Sequence, residues 1–160
     1  MDLLAIIGSE GSRPEVMQLS NPGQQDPSKY GSAFSRGTLI RQPGVSLIQV
    51  SGTAAIDPRG DSLYPHDIRA QIDCTWEKIA NLIGQEGASL ADVGAACVFL
   101  KRPEYLQAYQ GRATAWGLQD LPAVVMIADV CRQELLFEMD AEVAVTAAGR
   151  VKPGLIPNRE

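Results

Sequence analysis

The stretch PHDIRAQIDCTWEKIANLIG, residues 65–84, decides the fold. Ile68, Ile72, Trp76, Ile79 and Ile83 recur at spacings of three and four, which places these large apolar groups on one helical face. Arg69, Asp73, Glu77 and Lys78 fall on the opposite face. Pro65 suits a first helical turn, Asp67 puts negative charge near the N-terminus, and Gly84 and Gly87 suit the end. An amphipathic helix over 65–84 must lie on an apolar surface, and the flanking sequence supplies one made of strands.

Upstream, Ala33–Arg41 and Ser46–Ile56 are β-prone runs separated by Gln42-Pro43-Gly44, a turn signal that predicts a hairpin. Asp57-Pro58-Arg59-Gly60-Asp61 is a further turn. Downstream, Val93–Leu100 is a near-continuous apolar run of the length of a buried strand. Pro103–Gly117 predicts a second helix, opened by Pro103-Glu104 and closed at Gly117. Ala123–Val130 and Leu135–Ala147 predict two more strands around the turn Cys131-Arg132-Gln133-Glu134. The order β-β-α-β-α-β-β predicts an α+β fold with both helices on one face of a mixed sheet, since two helices cannot cover both faces. The uncovered face then predicts self-association. Residues 1–29, rich in Gly, Ser, Pro, Gln and Asn from residue 9, predict an irregular N-terminal arm, with a short strand over Met1–Gly8; residues 30–148 form the domain and 149–160 a tail.

Composition narrows the function classes. Apolar residues make up 45% and charged residues 21% of 160, as in an ordinary globular domain. Lys and Arg number 14 against 19 Asp and Glu, a net charge of −5, which argues against nucleic acid as a partner. No stretch approaches the roughly 20 apolar residues of a membrane span, and the acidic, short apolar start does not have the pattern of a signal peptide. Cys74, Cys97 and Cys131, odd in number and set in apolar segments, are expected to be reduced packing residues of a cytoplasmic protein. His66 is the single histidine, so neither a His-based metal site nor a Cys/His pair is expected, and no metal or other cofactor.

Tyr30-Gly31-Ser32-Ala33-Phe34-Ser35-Arg36-Gly37 is similar to the N-terminal Tyr-containing hairpin of the RidA (YjgF, endoribonuclease L-PSP) family. Val50-Ser51-Gly52-Thr53-Ala54-Ala55-Ile56-Asp57 is similar to that family's "SGQIP" strand end, and Asp67–Gln71 with Asn81-Leu82 to its first helix. Ser89–Val93 with Val98–Leu100, and Leu121–Ala123 with Phe137–Ala141, are similar to its later passages, so the resemblance runs from about Tyr30 to Ala147. It implies a homotrimer with a barrel core and ligand clefts between subunits. In the best-known branch, it implies cofactor-free hydrolysis of imines and enamines by a carboxylate-binding arginine and a glutamate with a water. That arginine follows the Pro-Ala pair; here Pro122-Ala123 is followed by Val124, which offers neither charge nor donors. Tyr109 falls near the place of the branch's cleft asparagine, and Met126 near that of its cleft cysteine. Ser51–Ile56 and Ala128–Leu136 look more like the C-terminal half of chorismatases, which hydrolyse chorismate and are roughly twice as long.

Glu138 is the catalytic candidate. It alternates with Phe137 and Met139, so it can face a cleft while they face the core, and a carboxylate there can position or deprotonate a water. Asp140 and Glu142 share its parity, so the strand pattern leaves open which of them enters the cleft. The ligand-binding candidates are Tyr30, Ser51, Tyr109, Val124, Met126 and Arg132. Arg132 offers an anion contact from the turn, and Tyr30 and Ser51 offer hydroxyl groups. Each has a plainer reading as a packed aromatic, a strand-end hydroxyl or a solvated turn residue. The functions in play are a binding protein or cofactor-independent hydrolase for a small carboxylated or cyclic metabolite, an imine deaminase, a non-catalytic interaction protein, and an endoribonuclease or translation inhibitor.

Overall fold

A computed structural model describes residues 13–146. Its strands are β1 (Glu15–Leu19), β2 (Gly37–Gln42), β3 (Val45–Ala54), β4 (Val93–Leu100), β5 (Ala123–Ile127) and β6 (Phe137–Thr146); its helices are α1 (Ile68–Gly84) and α2 (Leu106–Trp116). One mixed sheet runs β1-β2-β3-β6-β4-β5, with only the β4–β5 pair parallel. From β2 onward this is the expected element order, in an α+β fold with both helices on one face.

α1 is built as its spacing predicts. Ile72, Trp76, Ile79 and Ile83 are fully buried among Leu39, Ile48, Val98, Phe137 and Met139 of the sheet. Each such side chain contributes roughly 1.5–3 kcal/mol of gross burial. Trp76 sits at the centre, edge-on to Trp116, Tyr109 and Phe137 with ring centroids 5.6, 6.0 and 6.2 Å away. The helix starts later than expected. Pro65 lies in the preceding turn, and Asp67 is the N-cap, its Oδ1 accepting from the amides of Arg69 and Ala70 at 3.0 Å each.

Two expectations are corrected on the N-terminal side. Glu15–Leu19 is not irregular but a strand in register with β2 from Arg41 to Gly37. Lys78 is not on a solvated face: it is buried, and its Nζ donates to the Gly23 carbonyl at 2.6 Å while Asn21 Nδ2 donates to the Lys78 carbonyl at 2.9 Å. The segment just after β1 is thus strapped across α1 at Asn21 and Gly23. The proposed strand over Met1–Gly8 lies outside the described residues.

The uncovered face of the sheet is less apolar than expected. Glu138, Asp140 and Glu142 alternate down β6 opposite Phe99, Cys97 and Ala95 of β4, and Gln49 joins them from β3. Aliphatic groups collect instead at the β5 edge, where Val124 and Ile127 are exposed. Among the described residues no helix is long and apolar enough to cross a membrane.

Candidate functional site

A single irregularity in the sheet builds the site. Val50 of β3 pairs with Ala141, and Thr53 with Met139, so Ser51 and Gly52 together oppose one residue of β6. Beyond this bulge β3 leads into the loop around Asp57. That loop is closed by the amides of Arg59 and Asp61 donating to Asp57 Oδ1 at 2.8 and 2.9 Å. The bulge, the approach to β2, the 131–132 turn and the first residues of β6 enclose a cavity of about 520 Å³.

Glu138, on β6, lines this cavity, while Asp140 and Glu142 do not. Its side chain comes so close to Gly52 that a Cβ there would overlap Glu138 Oε1. Burial first, and then the nearby charge of Asp140, push its pKa above the usual glutamate value; Arg36 acts in the opposite direction.

Arg36 was not among the residues the sequence singled out. It is only 4% exposed and lines the same cavity. Its Nε and Nη2 donate to the Gln25 carbonyl at 3.1 and 2.9 Å, and Nη2 also to Tyr30 Oη at 2.8 Å. The Phe34 ring lies beneath it, with the guanidinium carbon 5.1 Å from the centroid. Ser51 is held alongside, its amide donating to the Arg36 carbonyl at 3.1 Å.

The expected site residues divide into two groups. Tyr30, Ser51, Arg132 and Glu138 line one cavity. Arg132 is not a solvated turn residue: its Nη1 donates to the Gly60 carbonyl and to Ser62 Oγ, pinning the 131–132 turn to the loop after β3. Tyr109 lies elsewhere. It is buried on the helix side of the sheet, stacked on Phe137 at 6.2 Å, and burial pushes its hydroxyl pKa up. Val124 and Met126 share the open face with Glu138, because Met126 pairs with Phe99 and Phe99 with Glu138. They stand two strands from β6, about 10 Å away at the usual strand spacing, and do not line the cavity.

Cys131 is also corrected. It is exposed at the cavity rather than packed, and partial desolvation at the cavity wall, followed by the charge of Glu138, raises its pKa. Among the described residues no three His, Cys, Asp or Glu side chains converge as metal ligands. The chemistry on hand is therefore a desolvated carboxyl, two guanidinium groups, hydroxyls from Tyr30 and Ser51, and an apolar wall from Phe34 and Ile56.

No family model matches the sequence. The chorismatase of Streptomyces rapamycinicus is 29% identical over 132 residues, covering 74% of this chain and 39% of the relative. A chorismatase crystal structure superposes with a TM-score of 0.71 at 25% identity, over 81% of this chain and 44% of that one. Rv2704 of Mycobacterium tuberculosis, from the YjgF/YER057c/UK114 family, superposes with a TM-score of 0.62 at 23% identity, over 82% of this chain and all of its own. The chain spans less than half the length of the chorismatases it matches. It has the RidA-like fold and resembles part of a chorismatase.

Proposed function

We propose that the cavity around Glu138 is a small-molecule site for a cyclic or carboxylated metabolite, and that any turnover there is a cofactor-independent hydrolysis with Glu138 handling the proton. One observation carries this: a carboxyl whose pKa is raised by burial lines a cavity of about 520 Å³ that also holds donors and an apolar wall. That volume falls in the usual range of small-molecule sites. A raised pKa lets a carboxyl exchange a proton nearer neutrality, as general acid–base work requires. The likeness to chorismatases supports a ring-bearing acid as ligand, but the chain matches only part of those enzymes, so their reaction does not come with it. Imine hydrolysis is not part of this reading. The resemblance puts the carboxylate-binding arginine at position 124, and that position holds Val124. A cytoplasmic homotrimer fits the aliphatic β5 edge, which a soluble protein covers.

Thermal shift across a panel of cyclic and acyclic carboxylates, with Glu138→Ala alongside, tests the reading. Stabilisation by ring carboxylates that changes in Glu138→Ala is expected. No response to any carboxylate, or an identical response in the variant, removes it. A dehydratase-coupled assay should show no faster release of keto acid.

A further inference from the structure

Arg36 carries a buried charge with no carboxylate in ion-pair contact among the described residues. The side chain is 4% exposed, yet both groups it donates to are neutral, the Gln25 carbonyl and the Tyr30 hydroxyl. Among the described residues it forms no ion pair, and its Nη1 has no hydrogen-bond partner. A buried guanidinium normally has a carboxylate or phosphate against it, because removing the charge from water is costly and only a close opposite charge offsets that. Glu138 lines the same cavity but stands outside ion-pair distance. What remains is a cavity wall with unused donor capacity and a positive charge only partly offset by the more distant Glu138 and Asp26, beside the rings of Phe34 and Tyr30.

We propose that Arg36 is the anion-binding group of this site: its free Nη1 takes the carboxylate of the ligand, whose ring lies against Phe34 and Ile56. The proposal rests on the reading of the cavity as a small-molecule site and adds the residue that selects the charge. Position 124 is thus not the only place from which this fold can present a cation to an acid. The bonds to Gln25 and Tyr30 hold the guanidinium plane still, so binding does not require ordering a flexible side chain. Arg132 also lines the cavity, but its Nη1 donates to the Gly60 carbonyl and to Ser62 Oγ, and unlike Arg36 it is not buried.

The experiment compares benzoate with benzamide, the same ring without the charge, on the full-length chain. Cys131, exposed in the cavity, is the reporter: its alkylation by iodoacetamide, located by mass spectrometry, slows when the cavity is filled. In the wild-type protein benzoate should protect about tenfold to a hundredfold more strongly than benzamide, the range expected when one hydrogen bond to a charged group is lost. Arg36→Met should abolish that preference and Arg36→Lys restore part of it, whereas Glu138→Gln should retain it. Arg36→Met also loses the bonds to Gln25 and Tyr30; should it not fold, Arg36→Lys decides, since a preference as large as that of wild type in this variant overturns the role of Arg36. Equal protection by both compounds overturns the role of Arg36 and leaves the small-molecule site standing. Protection by neither overturns both.

Discussion

A methyl group on residue 52 would overlap Glu138 Oε1, and the three heavy atoms nearest to it all belong to the Glu138 side chain. The obstructing atom is the tip of a flexible side chain, so the backbone of β3 need not move to admit an alanine. Gly52→Ala should therefore keep the fold, with stability within about 1 kcal/mol of wild type, the usual range away from core packing and caps. The Glu138 carboxyl should swing away from its place in the cavity. The thermal shift given by ring carboxylates should fall even though the melting point of the free protein does not. An alanine variant that responds like wild type would show that Glu138 tolerates other positions. The sequence makes part of this site legible and hides the rest for physical reasons. Strand parity marks Glu138, Asp140 and Glu142 alike, and only the bulge at Ser51–Gly52, signalled by a glycine inside a strand, decides which of them meets the cavity. Arg36 gives no such signal. An arginine before a strand reads as solvated, and its burial depends on Gln25, eleven residues earlier, folding back to accept from it.

Elements explain how the site is held. Gln71, on α1, is completely buried, and its amide nitrogen donates to the carbonyls of Leu63, Tyr64 and Glu134 at 3.1, 3.0 and 2.8 Å. Its amide oxygen accepts from the Leu136 amide at 2.7 Å. One side chain thereby joins α1, the loop after β3 and the entry to β6, the segments that position Arg132 and Glu138. Gln71→Leu preserves volume but leaves buried backbone groups unsatisfied, each costing about 1–3 kcal/mol. Urea denaturation should show a loss of about 2–4 kcal/mol; a loss under about 1 kcal/mol would mean that water or relaxation replaces these bonds. The apolar period of α1 is plain in the sequence, but this polar link is not, since a glutamine on a helix gives no hint of which distant carbonyls it will meet. β1 is missed for a similar reason. Glu15–Leu19 is too short for periodicity to register and takes its shape from the register of β2 and the strap that Lys78 and Asn21 make across α1.

At the scale of the molecule, the sheet ends in two strands that each pair on one side only among the described residues, and the two edges differ. β1 presents Glu15, in ionic contact with Arg41, beside Val16, a mixed edge of the kind that resists pairing. β5 presents Val124 at 62% and Ile127 at 52% exposure, aliphatic groups on both of its faces with no charge among its five residues. A bare edge of that composition favours aggregation, so a soluble protein covers it. The open sheet face beside it carries Glu138, Asp140 and Glu142, which disfavours burying that whole face against an identical one. The contact should therefore centre on β5. Sedimentation equilibrium at tens of micromolar protein should give three times the 17.2 kDa chain mass, and Val124→Lys, which sets a charge in the middle of the aliphatic patch, should shift the population toward a single chain. A wild-type protein that sediments at 17.2 kDa, or a lysine variant with unchanged mass, would mean that something other than another copy of this chain shields β5.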